Sequence, residues 1–87
     1  MSELEELRNE IDKLDEIIAR AYIKRLELVE KVGEYKKENN IVVFQQKRED
    51  EVLDKVSNIS EKYKNDLKSL YKFILEYSKS KQNVIIK

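Results

Sequence analysis

The 87-residue chain contains no cysteine and no histidine. These two absences exclude disulfide scaffolds, thiol nucleophiles, imidazole bases and the usual zinc sites. Any catalysis must use carboxylates, amines, guanidinia, amides or hydroxyls, and no metal or cofactor is expected. An excess of one charge is also missing: charged residues make up 41% of the chain, but Lys+Arg and Asp+Glu are both 18. That balance removes the broad basic field of a nucleic-acid or anionic-membrane binder. No run of about 18 apolar residues exists, so no membrane span is expected. The start, Met-Ser-Glu-Leu-Glu-Glu, lacks the basic-then-apolar order of a secretory signal, which makes the cytoplasm the expected location. Residues 1–87 read as one domain near the lower limit for burying a self-sufficient core, so help from a second chain is plausible.

Nor is there a proline, and the one glycine is Gly33. Over residues 4–39 nothing strong breaks a helix until Asn39-Asn40. Leu4, Leu7, Ile11, Leu14, Ile18 and Ala21 follow each other in alternating steps of three and four, and Leu28, Val32 and Tyr35 resume the series after one position that is not apolar, like a heptad seam. Ser2 is placed to cap this helix, and Glu3, Glu5 and Glu6 suit the positive end of its dipole. About 37 helical residues span roughly 55 Å. A compact chain of this size has a radius of gyration of only about 12 Å, so the helix must break or pack its excess length on another chain.

Residues 41–44 interrupt the helical period with a short β-branched and aromatic run. With no second strand to pair with, they read as a connector with buried anchors. A second helix is expected from residues 45–47 onward, with Val52, Leu53 and Val56 inward and Glu49 on the same face. Ser57-Asn58-Ile59-Ser60 reads as the next break, with Ser60 a candidate cap. The third helix carries Tyr63, Leu67, Leu70, Tyr71, Ile74 and Tyr77 on one face, which continues into Ser78 and Gln82. Residues 83–87 can either fray or dock on a partner chain.

Each helix thus turns polar groups inward. Arg25 occupies a seam position that calls for an apolar residue, and a buried guanidinium costs several kcal/mol unless something anionic meets it. Lys36 lies about 16 Å further along nearly the same face, so the two cations can converge on a small anion between them. Arg8 is about 25 Å from Arg25 along the axis and about 100° round, out of reach of that anion within one chain. In an antiparallel two-fold dimer it could reach the Arg25 region of the other chain. Structural alternatives stand beside these readings. Arg25 could set register or pair with an acid across a dimer, and Arg8 could pair with Asp12. Lys36 could be a solvated helix end, Glu49 a first-turn acid, and Ser78 and Gln82 the polar end of a helix. Their joint occurrence on converging faces favours a site.

The ordered set Leu7-Arg8, Ile11-Asp12, Leu14-Asp15, Lys24-Arg25, Leu28, Val32-Gly33 and Lys36 resembles the first helix of the all-helical chorismate mutase family. Arg48-Glu49 before Val52-Leu53, and Glu76-Tyr77-Ser78 with Gln82 four residues on, extend the resemblance over about residues 4–82. Val42 stands where the family often has a connector proline, and Gln45 where some members have an acid. The resemblance implies an all-α fold: an intertwined homodimer of three-helix chains with a very long first helix, each site taking Arg8 from the partner chain. It implies rearrangement of chorismate to prephenate in aromatic amino acid biosynthesis. Partner Arg8 and Arg25 would hold the two carboxylates, with Ser78 assisting and Arg48 supporting. Lys36 and Gln82 would donate to the ether oxygen. Glu49, aided by backbone near Gln45, would bind the ring hydroxyl. Two other functions remain open: an isochorismate pyruvate-lyase, or a non-catalytic helical dimer that regulates an enzyme of the aromatic pathway.

Overall fold

In the computed structural model, which describes residues 2–87, the chain forms three α-helices: α1 (Glu3–Glu38), α2 (Gln46–Ser57) and α3 (Lys64–Ile86). No strand occurs among the described residues. The start of α1 is fixed as its sequence dictates: Ser2 Oγ accepts from the Glu5 N–H at 3.2 Å, satisfying one of the unpaired amides of the first turn. Its end is fixed by the asparagine pair. Asn39 N–H and Nδ2 both donate to Tyr35 O, at 3.0 and 2.8 Å. Asn40 takes a left-handed φ of 55°, which lets the Ile41 N–H reach back to Lys36 O at 2.9 Å. A helix closes in this way when a residue tolerant of positive φ follows the last turn.

The molecule is elongated, 56 × 25 × 14 Å, with a radius of gyration of 16.4 Å. α3 is central and packs on both α1 and α2. Its junction with α1 is close at Gly33, where an added Cβ would lie 3.2 Å from Ile85 Cδ1 and 3.4 Å from Gln82 Cα. The missing side chain therefore sets how near Gln82 comes to α1. The apolar core is small. Among the described residues only Val29, Ile74 and Leu75 are buried hydrophobics, and Tyr22, Leu26, Val52, Leu53, Val56, Leu67 and Tyr71 surround them half-buried.

Helix identity follows the sequence reading, but inward and outward faces are redistributed. Residues 3–21 of α1 are all exposed, including Leu4, Leu7, Ile11, Leu14 and Ile18 of the apolar seam. Leu28, Val32 and Tyr35 are exposed as well, and the stripe that packs on α3 is Tyr22, Leu26, Val29 and Gly33. α1 thus carries two adjacent apolar stripes, of which only the shorter is used within the chain. In α3 the inward row is Leu67, Tyr71, Ile74, Leu75, Ser78 and Gln82. Tyr63, Leu70 and Tyr77 are turned away, because Leu75 rather than Tyr77 continues the row from Tyr71 at helical spacing.

The connector also differs from expectation. Ile41, Val42 and Phe44 are exposed, and only Val43 is half-buried. Ser60 does not cap α3 directly; its Oγ accepts from the Tyr63 N–H at 3.1 Å, shaping the turn one residue before the helix begins. Residues 83–86 continue α3, with Ile85 and Ile86 half-buried rather than frayed.

Candidate active site

A cavity of about 170 Å³ opens between the C-terminal half of α1, the connector, the first turns of α2 and the C-terminal half of α3. Arg25 and Lys36 line it from α1, Gln45, Arg48 and Glu49 from the α2 end, and Ser78 and Gln82 from α3. These are seven of the eight residues singled out in the sequence. Arg8 is the exception: it lies on the exposed half of α1, is in no ion pair among the described residues, and does not line the cavity.

Arg25 is half-buried and donates through Nη1 to Ser78 Oγ. Ser78, itself only 5% exposed, donates its own hydroxyl hydrogen to Ile74 O at 2.8 Å. With its proton committed to backbone, Ser78 acts here as an acceptor that orients the guanidinium. The remaining N–H groups of Arg25 stay available to an anion, in the fork geometry that suits a carboxylate.

Lys36 reaches over the connector and donates to Val43 O at 2.8 Å. Burial lowers its pKa from 10.5, because the charged ammonium loses solvent without gaining a carboxylate. The direction has a consequence for rate. Lys36 can donate only while protonated, so kcat/KM should fall on the alkaline side with a midpoint below 10.5. Lys36→Arg, whose guanidinium holds its proton, should carry that limb out of the measured range. A pH profile whose alkaline limb is unchanged in Lys36→Arg would remove Lys36 from the protonation-dependent step.

Gln82 is 7% exposed, and its Oε1 is buried without a hydrogen-bond partner. A buried amide oxygen left unpaired costs free energy, the kind of cost tolerated where an amide is held for a ligand. At the other end, Gln45 and Arg48 are exposed. Gln45 folds back, Nε2 donating to Val42 O at 3.0 Å, and Arg48 lies 3.7 Å from Glu51 in an exposed pair. That weak pair leaves Arg48 easily drawn to an anion.

One charged lining residue escaped the sequence reading. Lys79 Nζ lies 3.2 Å from Glu49 Oε2 and 2.7 Å from Glu76 Oε1, and 4.8 Å from the Phe44 ring centroid. Its hydrogen bond to Glu76 comes first in raising its pKa above 10.5, with Glu49 adding to the effect against some desolvation. The i, i+3 spacing from Glu76 disguised Lys79 as a surface pair. The available signal was its position directly after Ser78, on the flank of the polar row. The cavity is thus lined by four cations, Arg25, Lys36, Arg48 and Lys79, and one carboxylate, Glu49. Among the described residues no cluster of acids is placed to hold a metal ion.

The cleft is all-helical and combines clustered cations, an inward amide and one acid, an excess of positive charge suited to a small anion. The chain belongs to the chorismate mutase type II family, whose sequence profile matches residues 7–83. A bifunctional chorismate mutase/prephenate dehydratase of Aquifex aeolicus (strain VF5) is 38% identical to it over 60 residues. That match covers 69% of this chain, and the chain spans only 17% of that relative's length. No solved structure gives a significant match.

Proposed function

We propose that the chain is a chorismate mutase, rearranging chorismate to prephenate on the way to phenylalanine and tyrosine. The observation that carries this reading is the cavity itself, which gathers Arg25, Lys36, Glu49, Ser78 and Gln82 from three helices. The reaction forms one carbon–carbon bond as an ether carbon–oxygen bond breaks, with no covalent enzyme intermediate and no proton transfer, so a site without His or Cys is adequate. Arg25, oriented by Ser78, grips one carboxylate, and Arg48 adds positive potential at the rim. Lys36 and Gln82 donate to the ether oxygen, where negative charge grows as its bond to carbon breaks. Donors aimed at charge that develops only in the transition state lower the barrier rather than merely tightening binding. Glu49 accepts from the ring hydroxyl. Gripping both ends of a dianion also favours its compact, reactive conformer.

The active form in this reading is a homodimer. Residues 3–21 present Leu4, Leu7, Ile11, Leu14 and Ile18 to solvent along one line, and the single-chain core is small for independent stability. An antiparallel two-fold pairing of the first helices covers that line and carries Arg8 of one chain to the open cavity of the other, where it grips the second carboxylate. No helix among the described residues is long and apolar enough to cross a membrane, and the enzyme would work in the cytoplasm without nucleic-acid or membrane partners. Chorismate and isochorismate should be supplied in parallel to the purified chain. Loss of chorismate absorbance with formation of prephenate is expected. Release of salicylate and pyruvate from isochorismate would make it a lyase instead, and no turnover of either would favour a regulatory dimer.

A further inference from the structure

We propose that Lys79 is a positioning residue of this site, an ammonium that holds Glu49 at the hydroxyl end of the cavity and keeps it away from the anion-gripping cations. The inference rests on the chorismate reading for the role of Glu49. Glu49 is the only acid lining the cavity, and Arg48, Lys36 and Arg25 line it too. Left to itself, a carboxylate among three cations moves toward them, and there it would neutralise the charges needed for the dianion. Lys79 prevents this by taking Glu49 Oε2 at 3.2 Å, in a pair whose side chains are only 22% and 19% exposed. The other carboxylate oxygen remains for the ring hydroxyl.

Lys79 is fixed from two further directions. Glu76 Oε1 lies 2.7 Å away, and the Phe44 ring lies beneath the ammonium at 4.8 Å. An ion pair normally forfeits much of its gain by immobilising a long side chain; here that ordering is shared among three contacts. With a pKa no lower than the ordinary 10.5, Lys79 keeps its charge throughout the neutral range. The ammonium also links the first turn of α2 to α3, so the acid is held in register with Ser78 and Gln82.

The test is steady-state kinetics on the full chain, after wild-type turnover of chorismate has been established; absence of that turnover would refute the functional reading and not the role of Lys79. Glu49 contacts the hydroxyl in ground and transition states alike, so misplacing it should act mainly on KM. Lys79→Met is expected to raise KM about tenfold with kcat changed less than about threefold, and Lys79→Arg to restore KM to within about threefold. Lys79→Gln, which keeps a hydrogen-bond donor without the charge, should raise KM about fivefold and carries the test if the Met variant does not fold. Glu76→Gln, which weakens one of the three contacts that fix Lys79 but leaves its pair with Glu49, should raise KM by no more than about twofold, less than either charge-removing variant of Lys79. In a Glu49→Gln background, Lys79→Met or Lys79→Gln should have no further effect on KM, because the group being positioned is gone. The proposal is overturned if the charge-removing variants leave KM unchanged, if the loss falls wholly on kcat, or if it persists undiminished in the Glu49→Gln background.

Discussion

Arg25→Met is expected to lower kcat/KM for chorismate by roughly a thousandfold, about 4 kcal/mol of transition-state stabilisation, while leaving the fold and its melting temperature unchanged or improved. The two halves of this expectation have separate causes. The guanidinium sits half-buried in a cavity with three other cations, anchored by Ser78 and paired with no acid among the described residues. Its desolvation is therefore uncompensated until an anion arrives, and an aliphatic side chain of similar volume removes that cost. Ser78 loses a donor but not its bond to Ile74 O, so no new buried group is stranded. A residue whose removal costs activity and not stability is held for a ligand. Unchanged turnover in Arg25→Met would remove it from the site, and a collapse in melting temperature would make it structural.

Gln82→Glu should cost about a hundredfold to a thousandfold in kcat near neutrality and recover toward acid pH. A donor removed from a site of developing negative charge typically costs this much. The substituted carboxylate, ionised at neutral pH, can only accept and would repel the ether oxygen, whereas its protonated form regains an O–H donor. Wild-type Gln82 does not titrate, so it adds no acid limb of its own. The side chain's low exposure and the tight backbone contact between Gly33 and Gln82 leave the new group little room to turn away. A Gln82→Glu profile parallel to wild type at every pH would contradict the ether-oxygen role.

The long helix, its cap at Ser2 and its end at Asn39-Asn40 were legible because each is a local matter of period and terminal chemistry. The polar cluster was legible for a related reason: Arg25, Lys36, Glu49, Ser78 and Gln82 each interrupt an apolar row, and an interruption is visible without knowing what lies opposite. Which apolar residues pack within the chain was not legible. Leu28 and Val29 are equally apolar, and Leu75 and Tyr77 both offer a large apolar body, so it is azimuth, settled by tertiary contact, that decides between them. α1 carries one stripe for its own α3 and another that its own chain leaves bare, and a one-dimensional pattern merges the two. Lys79 stayed hidden because its partners Glu49 and Phe44 are distant in sequence, and only the approach of α2 to α3 brings them to it.

Subunit mixing between Arg8→Ala and Arg25→Ala tests the central claim most directly, since it asks whether the cationic cavity of one chain rearranges chorismate only with an arginine from another. Each variant alone should be nearly inactive. Random exchange makes half the dimers mixed, each with one intact site and one doubly deficient site, so the mixture should regain about a quarter of wild-type prephenate formation. No recovery, with exchange demonstrated independently, would contradict the account.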